Sequence, residues 1–389
     1  MRTIAIIPAR GGSKRIERKN IKDFAGLPII AYSIREALRS GCFEEVMVST
    51  DDEEIAAVAR SFGASIPFMR SPETSDDFAT TADVIREVIR EYEKRGQAFD
   101  ALACIYATAP FITAERLADA YAMIESGKSK AAFTCVEYSY PIQRSLVIDK
   151  EGRVGMKFPE YATARSQDLE TTYHDAGQFY FITLDAFIKW GSLWGPDTLP
   201  IVLPETEVQD LDTPTDWKLA EMKFSLLALP NRFVVSDYNF RAYPELDEAT
   251  SELMRIGRNR DDVRKQMVNT DEISVDSHNK FVKGLKSRRD KQYYAVYFGD
   301  AIIGSVTLER TGDDSMERGI WLFESHRGKG HAKRLLVNLY DYLSSKLSIK
   351  TIETKVRKEN EASQALEKSL GAQEISEDTE FIHYILKLQ

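Results

Sequence analysis

The run Ile4-Ala5-Ile6-Ile7 constrains this chain more than any other stretch. Four successive apolar residues leave no face for water. The segment therefore reads as a strand buried on both sides, as in a parallel sheet covered by helices. It runs directly into a loop, residues 8–20, that carries Gly11, Gly12, Ser13 and five cations, Arg10, Lys14, Arg15, Arg18 and Lys19. Glycine lets backbone N–H groups approach a ligand and form an anion nest. Cations packed this closely repel one another unless an anion sits among them. A triphosphate at the carboxyl end of the first strand satisfies both demands, and open α/β sheets place ligands there. The loop has neither the P-loop spacing nor the Gly-x-Gly-x-x-Gly of a dinucleotide binder. A basic, solvated turn is the other reading.

The pattern continues in alternation. Residues 28–39, 51–62, 80–95 and 114–125 read as amphipathic helices, and residues 45–49, 101–106 and 131–136 as strands. This order predicts an α/β fold with a doubly wound, mostly parallel sheet. Residues 146–158 read as a hairpin turning at Lys150-Glu151-Gly152, a lid or a subunit contact. The strand pattern resumes at 178–182, and a helix follows Pro214 to about residue 227.

Pro230-Asn231-Arg232 marks a boundary, giving two domains, 1–229 and 230–389. Beyond it the order changes. Helices at 244–258, 261–268 and 274–285 come first. Strands at 292–298, 301–309 and 316–323 follow, with a hairpin turn at Gly299-Asp300. A helix at 328–347, a strand at 351–356, a helix at 361–370 and a closing strand pair complete an α+β unit.

Charge bears on function. The 389-residue chain carries a formal charge of −9, all of it within the first 229 residues. Neither part resembles a nucleic-acid binder. No apolar run is long enough to span a membrane, and no signal peptide is evident, so the cytoplasm is expected. Cys42, Cys104 and Cys135 lack paired spacing and read as small apolar residues.

Several motifs in order carry a resemblance: Ile7-Pro8-Ala9-Arg10-Gly11-Gly12-Ser13-Lys14 with Lys19-Asn20, Val48-Ser49-Thr50-Asp51-Asp52, Arg70 with Ser75-Asp76-Asp77, Ala107-Thr108-Ala109-Pro110, and Asp210-Leu211-Asp212-Thr213-Pro214. Residues 1–229 resemble the cytidylyltransferases that activate sialic-acid-type (nonulosonic) sugar acids with CTP. Tyr106 to Phe111 and Asp175 to Tyr180 look most like the pseudaminic acid branch. The resemblance implies nucleotidyl transfer, in which the anomeric hydroxyl of a keto-sugar acid attacks the α-phosphate and pyrophosphate leaves. Such chemistry needs positioning and charge neutralisation more than covalent help.

The resemblance implies that Arg10, Gly11, Gly12, Ser13 and Lys14 hold phosphates, with Lys19 a second candidate for the pyrophosphate. Asn20 and Arg70 would read the cytosine edge. Thr80, Thr81 and Thr108 are further nucleotide candidates, with Thr80 equally an N-cap. Asp210 and Asp212 alternate on an extended segment and so share a side. Magnesium prefers one or two carboxylates plus phosphate oxygens, and the resemblance assigns it this pair; helix capping is the other reading. Arg165 is the candidate for the sugar carboxylate, joined at the sugar by Tyr106, His174 and Gln178. His174 stands where some relatives have arginine, and a structural histidine is the other reading. In relatives the hairpin is a dimer contact, which implies a homodimer.

In the second part, His326-Arg327-Gly328-Lys329-Gly330-His331-Ala332 follows a strand ending at Phe323 and opens a long helix. Helix N-termini bind pyrophosphate. Arg327-x-x-Gly330-x-Ala332 is similar to the pyrophosphate loop of the GNAT acetyltransferases, supported by Asn360-Glu361-Ala362-Ser363 and Leu370-Gly371-Ala372. Acetyl-coenzyme A is then implied as co-substrate. Asn259-Arg260, Val263, Arg264, Ile273-Ser274 and His278 resemble the acetyltransferase of pseudaminic acid biosynthesis, which acts on an amino group of a UDP-linked deoxysugar. The late helical tyrosine used by many GNAT enzymes is missing near Glu367. Glu324 and His278 are base candidates, with a solvated glutamate and a surface helix histidine as the other readings. A cytidylyltransferase for legionaminic or neuraminic acid, with a non-catalytic second domain, is the alternative for the whole chain.

Overall fold

A computed structural model describes every residue except Ser13, Lys14, Asp77, Ser287, Asp313 and Gln389. The chain falls into two compact units, Met1–Leu226 and Leu227–Gln389.

The first unit is built on β1 (Thr3–Pro8), β2 (Glu45–Ser49), β3 (Ala101–Ile105), β4 (Ala131–Glu137), β5 (Tyr173–Thr183) and β6 (Thr198–Leu203), in the order β6-β4-β5-β3-β1-β2. Ile4, Ala5, Ile6 and Ile7 are all fully buried. Alternation splits them between two cores. Ala5 and Ile7 join Val46, Val48, Ala103 and Ile105 under helices α1 (Ile30–Ser40), α2 (Glu53–Ser61) and α4 (Ala114–Glu125). Ile4 and Ile6 face the other way with Leu102 and Cys104, against α3 (Thr81–Glu93) and α5 (Leu184–Trp190). Helix α6 (Pro214–Leu227) buries Trp217 and Phe224 edge-on against Phe24.

Two features depart from the sequence pattern. The sheet is mixed, because β5 pairs antiparallel with both β3 and β4. The edge strand β6 was not anticipated: its Pro200 lowers the strand signal, and only an edge tolerates a proline there.

The second unit opens with a hairpin, β7 (Arg232–Val235) and β8 (Tyr238–Ala242), where helices were expected first. The alternating Phe233, Val235, Tyr238, Phe240 and Ala242, all buried, explain it. Then come α7 (Glu248–Asn259), α8 (Asp261–Arg264), α9 (Val275–Leu285), β9 (Lys291–Phe298), β10 (Ala301–Arg310), β11 (Ser315–Leu322), α10 (His331–Leu347), β12 (Thr351–Arg357), α11 (Glu361–Ser369), β13 (Gln373–Glu377) and β14 (Phe381–Lys387). The sheet runs β7-β8-β9-β10-β11-β12-β14-β13. Its one parallel pair is β11–β12, joined through α10, whose Leu335, Leu336, Leu339 and Leu343 fill the core. That pair is short. It ends at Glu317–Glu353, and beyond it the two strands no longer bond.

Candidate functional site

In the first unit a cavity of about 520 Å³ opens where β1 and β3 end. These neighbours feed crossovers in opposite directions, the switch point at which α/β sheets bind ligands. Pro8, Arg10, Arg15, Ile16, Lys19 and Asn20 line it from the loop after β1. Arg70, Thr81, Tyr106 and Asp212 line it from the other side.

The loop is tied down by its own polar groups. Asn20 is buried and donates from Nδ2 to the Arg10 carbonyl at 2.9 Å, joining the loop's two ends. The Gly11 N–H donates to Asp51 Oδ1 at 2.9 Å, and a Cβ on Gly11 would lie 2.8 Å from Asp52 Oδ2. Arg18 is drawn out of the cationic cluster by Asp52, at 2.5 and 3.0 Å, and by Glu54. Its guanidinium bond holds the Asp52 carboxyl below the usual range. Arg15 pairs with Asp212. Lys19 donates to the Leu211 carbonyl at 2.6 Å and lies 3.9 Å from Asp212. Self-repulsion in the loop is thus met partly by the chain's own carboxylates, which leave cations and two acids, Asp76 and Asp212, together on the cavity wall.

Arg70 is buried. Its Nε donates to Ser49 Oγ at 3.0 Å and its Nη2 to the Ser49 carbonyl. Burial pulls its pKa below the ordinary arginine value, opposed by Asp51 and Glu87. Tyr106 packs edge-on against Tyr180, with ring centres 5.8 Å apart, and burial pushes its phenol up. Tyr180 in turn donates to Asp175.

In the second unit a cavity of about 640 Å³ lies between the separated halves of β11 and β12. One end is the Arg327–His331 turn. Gly328 and Gly330 have φ of +69° and +78°, a region that favours glycine, and Gly330 caps α10 without a side chain. The first N–H groups of α10 are thereby left for a ligand. Arg327 is fixed by its bond to the Leu322 carbonyl and by Asp262, both at 2.8 Å. His331 meets the Tyr238 hydroxyl at 3.2 Å; burial, then His326, Lys329 and Arg334, hold its imidazole below the usual pKa. Asn360 caps α11 through the Ser363 N–H and also lines the cavity. The other end holds a buried ion pair, Arg318–Glu367.

Known proteins resemble both halves. Residues 4–183 match the family described as "Cytidylyltransferase", and residues 239–373 the "Acetyltransferase (GNAT) domain". The pseudaminic acid cytidylyltransferase of Campylobacter jejuni is 43% identical over 226 residues, 58% of this chain and 97% of that one. The chain belongs to the cytidylyltransferase family. A Helicobacter pylori protein named pseudaminic acid cytidylyltransferase and UDP-2,4-diacetamido-2,4,6-trideoxy-beta-L-altropyranose hydrolase is 36% identical over 54% of this chain and 40% of its own. Among solved structures, the Campylobacter jejuni N-acetyltransferase PseH aligns with 39% of this chain and 99% of its own, at 22% identity and a TM-score of 0.33. The protein is a nucleotidyltransferase that carries an acetyltransferase domain.

Against this family the residues singled out in the sequence divide. Arg10, Lys19, Asn20, Arg70, Thr81, Tyr106 and Asp212 share the cytidylyltransferase cavity. Ser13 and Lys14 lie outside the described residues. Thr80 is the N-cap of α3 in a reciprocal capping box with Asp83, and does not line the cavity. Thr108 is half-buried, Gln178 donates to the Glu207 carbonyl at 2.6 Å, and Asp210 is exposed; none lines the cavity. Arg165 is exposed and paired with Asp168 at 2.8 Å. His174, also exposed, packs on Tyr138 with ring centres 4.7 Å apart. Arg15 and Asp76 line the cavity without having been singled out. Arg15 was one charge among five, and its partner Asp212 lies 197 residues away.

In the acetyltransferase domain Arg327, Gly328, Gly330, His331, Ala332 and Asn360 line one cavity. Phe323 and Lys329 are not among its lining residues; Phe323 packs edge-on against Trp321. Both base candidates are held elsewhere. Glu324 is an exposed partner of Arg260 at 2.6 Å. His278 is buried 3.0 Å from Ser251 Oγ, with its pKa lowered by burial. Neither lines the cavity.

Proposed function

We propose that the first unit activates pseudaminic acid with CTP, forming CMP-pseudaminic acid and pyrophosphate. The observation that carries this reading is the β1 cavity. Its cations and buried amide share a wall with Asp212, in a unit 43% identical to a pseudaminic acid cytidylyltransferase. Arg10, Lys19 and Lys14 take the phosphates. Asn20 and Arg70 face the cytosine, and Tyr106 the sugar. Arg70 is desolvated and fixed by Ser49, so its orientation is set before nucleotide arrives. The sugar hydroxyl attacks the α-phosphorus as the bond to pyrophosphate breaks.

Magnesium fits the residues present. Asp212 offers a carboxylate to the phosphate side of the cavity, and Asp210 stands two residues away. Bound there with nucleotide oxygens, the ion would neutralise phosphate charge. Arg15 and Lys19 hold Asp212 in place. A homodimer is supported by the hairpin Leu146–Ile148 with Val154–Met156, whose Leu146, Val147, Ile148 and Val154 are exposed.

The second unit, on this proposal, transfers acetyl from acetyl-coenzyme A to an amino group of a UDP-linked deoxysugar. The glycine-capped N-terminus of α10 supports the coenzyme. The Helicobacter pylori relative's name, which joins the same cytidylyltransferase to an enzyme of a UDP-sugar, supports the sugar class. Pyrophosphate release from CTP and magnesium with a panel of sugar acids tests the first activity. Turnover with legionaminic or neuraminic acid but not pseudaminic acid would refute it. Free thiol release from acetyl-coenzyme A with UDP-amino sugars tests the second.

A further inference from the structure

The floor of the second cavity is charged, which an acyl-coenzyme A cavity does not need for its apolar arm. Arg318 and Glu367 both line it, and each side chain is only 3% exposed. Nη2 of Arg318 bonds both Glu367 oxygens at 2.8 Å and the Tyr340 hydroxyl at 2.8 Å; Nε reaches the same hydroxyl at 3.1 Å. Burial alone would lower the pKa of this guanidinium. Tyr340 and Glu367 outweigh burial and hold it above the ordinary value, so the group stays charged. Nη1 takes no part in these bonds, and Arg318 lines the cavity.

A buried ion pair is a weak source of stability, because desolvation offsets the attraction. One whose guanidinium also lines a ligand cavity is placed to meet an anion there. Position says which anion. Arg318 lies four residues before Leu322 on β11, about 13 Å at strand rise. The pyrophosphate-binding end lies beyond Leu322, at Gly330. A coenzyme anchored at α10 and running back along β11 brings its sulfur toward Arg318.

We propose that Arg318 is a catalytic residue of acetyl transfer, stabilising the departing thiolate of coenzyme A, with Glu367 and Tyr340 as positioning residues. The amine nitrogen forms its bond to the acetyl carbon as the C–S bond breaks. The electron pair leaves on sulfur, the amine proton goes to solvent, and Arg318 bonds the thiolate without giving up its own proton. The inference rests on the acyl-coenzyme A reading of the cavity.

The test compares coenzyme A, which has an ionisable thiol, with acetyl-coenzyme A, which has none. Their dissociation constants are measured by calorimetry on the full chain from pH 7 to 9.5. Other titrating groups, namely the Glu317–Lys355 pair, Glu353, Glu309, Tyr340 and Tyr384 nearby and the histidines at α10, act on both ligands and cancel in the ratio. In the wild type, coenzyme A should tighten relative to acetyl-coenzyme A as pH rises, by about tenfold for each unit that bound thiol acidity increases. The double variant Arg318→Met/Glu367→Leu should lose this trend and its kcat while still binding acetyl-coenzyme A; Arg318→Lys should keep part of both. A constant ratio in the wild type would overturn the proposal. Failure of either ligand to bind would overturn the coenzyme reading as well.

Discussion

Replacing Arg318 with methionine strips Glu367 of its partner inside a folded core. Both side chains are 3% exposed, and among the described residues Arg318 is the charged group that bonds the carboxylate. Removing one member of such a pair leaves an uncompensated buried charge and costs about 3–5 kcal/mol. For a unit of this size each kcal/mol moves the melting midpoint by roughly 2–4 °C, so the midpoint should fall by about 6–20 °C. The deficit should be larger at pH 8 than at pH 5, because an unpaired buried carboxyl takes up a proton to avoid its charge. Adding Glu367→Leu should restore most of the loss. Hydrogen exchange at α10 peptides reports the second unit by itself and makes the full cycle measurable. A single Arg318→Met variant as stable as wild type at pH 8 would refute the reasoning, since it would mean that water or another group already solvates Glu367.

Asp212→Asn should lower magnesium-dependent pyrophosphate release at least about a hundredfold. Its half-exposed ion pairs contribute under about 1 kcal/mol to stability, so the melting midpoint should hardly move. Thr80→Ala removes the cap of α3 and should cost about 1 kcal/mol with an unchanged KM for CTP; a raised KM would make Thr80 a ligand contact. His278 has a folded pKa below its unfolded value, chiefly through burial. The unfolded chain therefore takes the proton first as pH falls, so stability from this site is complete above about pH 6.5 and is lost below it. His278→Gln should flatten the fall in the second unit's midpoint between pH 7.5 and 5; identical profiles for both proteins would exclude the effect.

Local pattern was enough for much of this molecule. A fully apolar run such as Ile4–Ile7 has nowhere to go but between two covered faces. The hairpin around Gly299-Asp300 and the glycine turn that opens α10 are written in residues that few other conformations accommodate. The cationic loop suggests an anion because clustered like charges repel unless opposite charge sits among them.

What adjacency could not show is which distant groups meet. Thr80 is an N-cap because Asp83 is three residues on, yet a hydroxyl at a helix start is equally placed to reach a ligand until the helix is set in the sheet. The reversal of β5 depends on pairing with two other strands, and period-two alternation carries no direction. Arg15 finds Asp212 across 197 residues, and Arg318 finds Glu367 across 49. Sequence by itself raised the opening loop as a candidate anion site, and the glycine turn before α10 as a second. Only the tertiary structure decided which cations of that loop are spent on the chain's own carboxylates, and that the second cavity ends on a buried charge, because both outcomes depend on desolvation, which exists only once the chain has closed around the groups.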